Sequence, residues 1–190
     1  GGALALRIRA GLPELRIWEL GLLVGLVFLG AGGTWLLVYG TGSSLLGFSG
    51  GWALLASAHG HAAGFGALTI TALIARLAPG RLTTTLVALH PLGFGLVAGG
   101  ITGLPGLELA GTVVYVTIFV VQFGVVLRLR RPLLTIACAV PLVTLTLALN
   151  WALGFRQLDL FQMAWFHGLV NATGHVGLGA VALIRARDAS

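Results

Sequence analysis

The chain has very few charged residues and contains no lysine. Only 8% of its 190 residues are charged and 57% are hydrophobic, whereas soluble domains have roughly 25% charged residues. This composition, with a mean hydropathy of +1.01, excludes an ordinary soluble protein and indicates an integral membrane protein. All the basic residues are arginines, and they lie in short gaps between apolar runs, where membrane orientation explains them. We therefore expect the lipid bilayer as a partner and no nucleic acid.

Cysteine and long polar linkers are also scarce. The single cysteine, Cys138, lies inside an apolar run, which excludes an intrachain disulfide and a CxxC redox pair. The gaps between apolar runs are short and contain glycine, proline or arginine, so no linker divides the chain. The sequence predicts a single transmembrane helical domain over residues 1–190.

Six apolar runs are long enough to cross a bilayer, which takes about 20 residues. The sequence therefore predicts an all-α, polytopic membrane protein with six transmembrane helices. The first run is too long for a signal-peptide core and lacks a convincing cleavage site, so we expect a retained helix. The predicted spans are residues 17–39, 52–78, 82–103, 107–127, 133–153 and 161–184.

The arginines fall on one side of this six-span topology. All except Arg156 lie before the first span, after the sixth, or in or beside the gaps that follow the second and fourth spans. By the positive-inside rule both termini then face the cytoplasm (N-in/C-in), with residues 1–16 as a cytoplasmic N-terminal segment. We expect the protein in the bacterial cytoplasmic (inner) membrane.

All five histidines lie inside predicted spans, where an ionisable side chain is costly to bury and usually faces the bundle interior. At a rise of about 1.5 Å per residue, their depths converge on one broad layer around the membrane midplane. In the sixth span His167, Asn171 and His175 have i, i+4, i+8 spacing and share one helix face. The pattern predicts a polar cavity in this layer.

His59, His61 and His90 are predicted to meet the sixth span there. His59 and His61 point to nearly opposite sides of the second span, so both reach one cavity only if the helix lies between two polar surfaces or is distorted near Gly60. We expect one of them in the site and the other bonded to a neighbouring helix. His90 precedes Pro91, whose missing N–H frees a helix carbonyl and favours a kinked cavity wall.

Other residues in the spans carry weaker signals. Tyr115 and Gln122 are predicted either to hydrogen-bond inward or to join helices, and Glu108 is predicted to lie near the outer mouth of the cavity. Four threonines are expected to bond to carbonyls of their own helices: Thr69, Thr71, Thr144 and Thr146. Small-xxx-small glycine pairs predict close helix packing and make a homo-oligomer possible: Gly21/Gly25, Gly60/Gly64, Gly95/Gly99 and Gly99/Gly103.

Two stretches, AHGHAAGF (58–65) and ALNWALGFRQLDLFQMAWFHGLVNATGH (148–175), resemble the YndJ-like family of bacterial integral membrane proteins. The first element of the family pattern is matched by His59, His61, Ala63, Gly64 and Phe65, and the second by Met163, His167, Gly168, Asn171, Ala172 and Gly174. His175 departs from the pattern, in which phenylalanine is usual. The resemblance covers about spans two to six and implies a membrane protein, with no defined activity because the family is largely uncharacterised.

Residues 58–79 also resemble short heme-copper-oxidase-like membrane proteins, in which histidines in such a context bind heme. This second likeness implies a heme- or metal-binding redox protein as an alternative, with one heme or metal ion held through His59, His61 and His167. Spacings typical of metalloenzymes, such as HExxH, are missing, so no metal site and no cofactor is predicted outright.

The favoured hypothesis is an intramembrane enzyme that isomerises, cyclises or opens a ring in a lipophilic small molecule. Imidazole gives or takes a proton near neutrality, and an asparagine amide can hold a substrate oxygen without being charged. The predicted catalytic residues are His167, Asn171, His59 and His61, and the predicted substrate-binding residues are His90, His175, Tyr115 and Gln122. A proton-coupled transporter is a further alternative, against which stand the six spans, the lack of an evident inverted repeat and the lack of a midplane carboxylate.

Overall fold

The structure is a computed structural model that describes residues 15–155 and 157–188. In these ranges no strand occurs, and six helices are long and apolar enough to cross a membrane, which confirms the predicted all-α, six-span fold. Every helix end lies within two residues of its predicted position except the last, which is four residues further on. The helices are α1 (Ile17–Gly40), α2 (Gly50–Leu77), α3 (Arg81–Ile101), α4 (Leu107–Arg128), α5 (Pro132–Ala152) and α6 (Leu160–Arg185, continuing to Asp188).

The predicted N-terminal segment lies almost wholly outside the described residues, as do Arg7, Arg9 and Arg156. The arginines whose side chains are described cluster at one end of the bundle, where α1, α3 and α5 begin and α2, α4 and α6 end. There the Arg76 guanidinium lies over the Trp18 ring, 5.0 Å from its centroid, and joins the end of α2 to the start of α1. The cytoplasmic orientation of this end stays a prediction.

Helices α2 to α6 form a closed ring, with α1 packed on its outside. Consecutive helices from α2 to α6 are in contact, and α6 returns to contact α2. Helix α1 contacts α2 and α3. Helix α2 therefore has neighbours on three sides, which explains why it is the most buried of the six spans.

The two helices that carry most of the histidines depart from α-helical geometry. Gly60–Ala67 of α2 is π-helical, and so are Ala164–Leu169 and Asn171–Gly177 of α6. A π-helical turn is wider than an α-helical one and changes which side chains share a face, and such turns are frequent at functional sites. The π-helical stretch of α2 begins at Gly60, near which the sequence suggests that the helix could be distorted.

Glycines let α1 and α2 approach closely. A Cβ on Gly60 would lie 2.8 Å from the Cα of Gly32, and a Cβ on Gly64 would lie 2.7 Å from the Cβ of Phe28. Side chains at either position would force the two backbones apart. Close packing is thereby confirmed for Gly60/Gly64, and it holds for Gly21/Gly25, which face side chains of α2 and α3.

The packing prediction is wrong for Gly95 and Gly103. A Cβ on either residue would meet nothing within 4 Å. Gly95 is exposed on α3, and Gly103 has a φ of +98° in the turn that follows this helix, a conformation that favours glycine. Self-association through small-xxx-small faces stays a prediction.

One half of the ring is filled by side chains, and we call it the closed half. It is packed with a core contributed by four helices: Ile70, Ile74, Val126, Leu134, Cys138 and Ala182. Gln122 is fully buried here. Its Oε1 accepts from the Thr71 hydroxyl at 2.8 Å and its Nε2 donates to the Cys138 sulfur at 3.5 Å. The other half, at the end where α2, α4 and α6 begin, is the open half.

Candidate functional site

The open half encloses a cavity of about 590 Å³, a volume within the range of roughly 300–1,000 Å³ that is typical of ligand pockets. Helix ends contribute the residues around its mouth: Trp52, Ile101, Glu108, Trp151 and Leu160. Tyr115, Phe119 and His175 lie deepest along their helices and form its floor. No described residue of α1 lines it. The cavity opens at one end of the bundle and stops at the closed half.

His167 is half-buried on the cavity wall formed by α6 and is held by α5. Its Nδ1 lies 2.9 Å from the carbonyl oxygen of Thr144. A carbonyl oxygen only accepts, so Nδ1 carries the hydrogen and Nε2 is the unprotonated, basic nitrogen. Nε2 bonds to no described residue and is not sealed off from the cavity. His167 therefore presents a base to whatever occupies the cavity.

Asn171 follows His167 on the same wall. Its Oδ1 accepts from the Thr144 hydroxyl at 2.8 Å, and its Nδ2 lies 3.4 Å from Nδ1 of His167. The second contact is weak because both nitrogens carry hydrogen. The amide Nδ2 is consequently left to donate to an oxygen atom of a ligand.

Thr144 contacts both His167 and Asn171, and the sequence does not predict this role. Its hydroxyl lies 3.3 Å from the Val140 carbonyl but 2.8 Å from Asn171. Thr144 thus contacts its own helix as predicted, and its shorter hydrogen bond is the one to Asn171. Thr146 does bond to its own helix, through the Val143 carbonyl at 2.6 Å.

His59 lies on α2, the helix next to α6 in the ring. Its ring lies 5.8 Å from the Phe94 ring. His59 hydrogen-bonds to no described residue, and both His59 and His167 line the cavity. The structure thus brings two of the predicted catalytic histidines to one cavity. Each has a ring nitrogen with no hydrogen-bond partner among the described residues.

His61 also lies along the cavity, but it turns one edge towards α1. Its Nδ1 donates to the Ser57 carbonyl at 2.8 Å, and the lack of a side chain at Gly32 leaves room for its ring. The prediction that one of the two histidines bonds a neighbouring helix is wrong, because His61 bonds to its own helix. Its Nε2 stays unprotonated, as in His167.

Aromatic rings make up the floor. Phe119 lies between two histidines, with ring centroids 6.2 Å from His90 and 5.0 Å from His175, and both contacts are edge-on. Tyr115 packs edge-on against His90 at 5.1 Å. Tyr115 and His175 line the cavity as predicted substrate-binding residues would, whereas His90 lies behind the floor and does not line it.

Both of these histidines are anchored on helix carbonyls. Nδ1 of His175 donates to Ala137 at 3.0 Å, and Nε2 of His90 donates to Ala63 at 3.0 Å. The Ala137 carbonyl is available because Pro141, four residues further on, has no N–H. A proline four residues after Ala137 is a sequence signal that this carbonyl is free to accept a hydrogen bond from another helix. The opposite nitrogens, Nε2 of His175 and Nδ1 of His90, are then unprotonated acceptors.

Three polar atoms at the floor are buried with no hydrogen-bond partner in the described part of the chain: Nδ1 of His90, Nε2 of His175 and the hydroxyl of Tyr115. Leaving a buried polar group unpaired costs about 1–3 kcal/mol. The Thr69 hydroxyl is unpaired too, beside Gly25 of α1, so the prediction that it bonds to its own helix is wrong. The three atoms at the floor have almost no accessible surface, so they lie beneath the cavity lining rather than open to it.

Gln122 does not reach the cavity. It lies beyond the floor in the closed half, with both ends of its amide paired, so its prediction as a substrate-binding residue is wrong. Thr71, which bonds to its own helix as predicted, also donates to Gln122. The sequence places Gln122 one to two turns after Tyr115 but does not show which side chains of α2 and α5 lie opposite.

The described residues hold no group of three or more histidine, cysteine, aspartate or glutamate side chains that could bind a metal ion. Among the described residues that line the cavity, Glu108 is the one formally charged side chain, and it lies at the mouth as predicted. The interior is therefore apolar apart from the histidines, Asn171, Tyr115 and Thr112.

Residues 3–175 match the family described as YndJ-like protein. The chain belongs to the YndJ-like family. The family match extends over all five histidines, and it confirms both the resemblance seen in the sequence and the class of multi-pass membrane protein. A relative in the family, the uncharacterized membrane protein YndJ of Bacillus subtilis (strain 168), is 31% identical over 174 residues, which are 84% of this chain and 31% of that protein.

The chain thus spans about a third of the length of the curated relative that it matches. No solved structure matches the chain significantly.

Proposed function

We propose that the chain binds a lipophilic small molecule in the cavity of the open half and catalyses proton transfer within it, as an isomerase or cyclase of the cytoplasmic membrane. The observation that carries this proposal is the pair of imidazoles, His59 and His167, that line one apolar cavity from two different helices. A base and an acid at one cavity suit a reaction that moves a proton from one atom of the substrate to another.

The roles follow from the hydrogen bonds. Nε2 of His167 takes a proton from the substrate while its Nδ1–H stays on the Thr144 carbonyl, and His59 in its protonated form gives a proton to another atom of the substrate. Transfer of the proton from His167 to His59 then restores the starting state. The Asn171 amide donates to the substrate oxygen on which negative charge develops. Such an isomerisation or ring closure conserves every atom of the substrate, so no further reactant is required.

A heme or metal site is the alternative supported by the two histidines, His59 and His167, at one cavity. The charge of the cavity lining argues against heme. No described residue that lines the cavity is an arginine, which would pair with the heme propionates. Proton-coupled transport is less well supported, because the cavity reaches one end of the bundle and the closed half is packed.

The test uses purified full-length chain in lipid nanodiscs, incubated with a bacterial membrane lipid extract. Chromatography with mass spectrometry searches for a compound whose retention changes while its mass does not. We expect wild type to convert this compound. His167→Ala and Asn171→Ala should each convert it at least about 100-fold more slowly. Thr173→Ala is the matched control, because Thr173 is an exposed polar residue of α6 that bonds to its own helix.

Conversion retained in both site variants would reject the catalytic assignment. An absorption spectrum and elemental analysis of the same preparations separate the alternatives. A Soret band or a stoichiometric metal ion that disappears in His167→Ala would replace the proposed enzyme by a heme or metal protein.

A further inference from the structure

His61 has one ring edge held inside the protein and the other open to the cavity. Its Nδ1 donates to the Ser57 carbonyl at 2.8 Å and lies 3.4 Å from the Ser57 hydroxyl. Its Nε2 has no hydrogen-bond partner among the described residues and, unlike Nε2 of His175, is not sealed off from its surroundings. Because His61 lines the cavity, this unprotonated nitrogen is an acceptor that a bound molecule can reach. The roles proposed for His59 and His167 leave it unused.

Gly32 of α1 lies directly behind the held edge of this ring. It is buried, and a Cβ on it would lie 2.6 Å from Nδ1 and 2.9 Å from Cε1 of His61. The same Cβ would lie 3.1 Å from the Ser57 carbonyl oxygen, which accepts the Nδ1 hydrogen. Non-bonded carbon atoms pack at roughly 3.5–4.0 Å, so a methyl group at this position displaces the ring. The displacement is away from α1 and therefore towards the cavity.

Gly32 also meets the backbone of α2 one residue before the histidine. A Cβ on Gly60 would lie 2.8 Å from the Cα and 3.0 Å from the N of Gly32. The π-helical stretch of α2 begins at Gly60, and the wider π-helical turn changes which side chains share a face. Gly32 therefore contacts both the His61 ring and the start of the turn that brings His59 and His61 to one cavity.

Neighbouring glycines of α1 make no such contact. Gly33 is exposed, and a Cβ on Gly33 or on Gly30 would meet nothing within 4 Å. The close contact is thus particular to Gly32. Gly33 offers an adjacent position at which the same substitution changes α1 without touching α2.

We propose that His61 is a third imidazole that contacts the bound molecule and that Gly32 is its positioning residue. No described residue of α1 lines the cavity, yet α1 keeps Nδ1 of His61 on the Ser57 carbonyl and so directs Nε2 at the ligand. The contact with a ligand rests on the proposed function, whereas the positioning of the ring does not.

The first test needs neither ligand nor turnover. The full chain, isotopically labelled at the histidine ring nitrogens, is reconstituted in lipid bilayers for solid-state NMR, and His61→Ala assigns the His61 signals. The shifts report which ring nitrogen carries hydrogen and whether it is hydrogen-bonded. We expect Gly32→Ala to shift the His61 signals, because the bond to Ser57 is lost, and to leave those of His167 in place. The matched control, Gly33→Ala, should shift neither.

The second test is a double-mutant cycle on turnover of the compound that wild type converts. We expect His61→Ala and Gly32→Ala each to lower turnover by about tenfold. The double variant should be slower than His61→Ala by less than about twofold, because the ring that Gly32 positions is already gone. A general loosening of the contact between α1 and α2 would instead add to the loss caused by His61→Ala.

Unmoved His61 signals in Gly32→Ala overturn the positioning role, and so does an additive loss in the double variant. Full turnover in His61→Ala overturns the contact with the ligand. If wild type converts no compound, the proposed function fails, and the NMR comparison still decides the role of Gly32. If Gly32→Ala does not fold, recovery of folded protein in the double variant supports the clash with the ring, and no recovery overturns it.

Discussion

The two halves of the ring treat buried polar groups in opposite ways. In the closed half, the Gln122 amide is paired at both ends and the helices around it are regular. In the open half, the histidine-bearing helices α2 and α6 contain π-helical turns, and the floor retains three unpaired polar atoms. A polar side chain inside a membrane protein is therefore a weak sign of a site, and one with an unpaired atom open to a cavity, such as His167, is a much stronger sign.

The comparison also separates stability from binding. Groups that are paired within the chain stabilise it, whereas atoms open to the cavity, such as Nε2 of His167, are free to contact a ligand. Variants in the closed half should therefore change stability and leave turnover alone, and variants of the cavity wall should change turnover.

Gln122→Ala should have the largest effect on stability. It removes a fully buried side chain with two hydrogen bonds, so the free energy of unfolding should fall by about 3 kcal/mol. Reversible unfolding in mixed micelles measures this change, and turnover of the compound that wild type converts should not move. Changed turnover would show that the closed half takes part in the reaction.

Thr144→Val tests the wall of the open half. Without the hydroxyl, Asn171 loses its 2.8 Å hydrogen bond and is no longer held in place, so turnover should fall by about tenfold. The matched control is Thr146→Val, two residues away on α5, whose hydroxyl bonds only to its own helix. Equal turnover in the two variants would contradict a positioning role for Thr144.

Pro141→Ala tests the anchor of His175. The new N–H competes for the Ala137 carbonyl, so His175 should be held less firmly in the cavity lining and turnover should fall by about threefold. Pro132→Ala is the control, because Pro132 lies in the first turn of α5, where its missing N–H frees no carbonyl inside the helix. Unchanged turnover in Pro141→Ala would show that the proline does not matter for the cavity.

Tyr115→Phe should have the smallest effect, and it should be stabilising. Removing an unpaired buried hydroxyl should raise the free energy of unfolding of the ligand-free protein by about 0.5–1 kcal/mol. Tyr39→Phe, at an exposed position of α1, should change it by less. Destabilisation by Tyr115→Phe would indicate that the hydroxyl is paired in the membrane.

The sequence is sufficient to predict the spans and one wall of the site, but not the floor. Apolar runs and the i, i+4 spacing of His167 and Asn171 depend on local periodicity, which the structure retains. Pairing across helices depends on which side chains lie opposite, and neither the partners of Gln122 nor those of Thr144 are visible from spacing within one helix. The π-helical turns also change the relation between sequence spacing and helix face, which explains how His59 and His61 both lie along the cavity.

Helix α1 contributes no described residue to the cavity, yet it lies against α2 through closely packed glycines. Helices α2 and α6, which carry four of the five histidines, are the least apolar of the six spans. During synthesis such a segment partitions into lipid less readily than its more apolar neighbours. We expect α1 to act as an insertion partner that holds α2 in the bilayer before the ring closes, so that α1 serves the site during biogenesis.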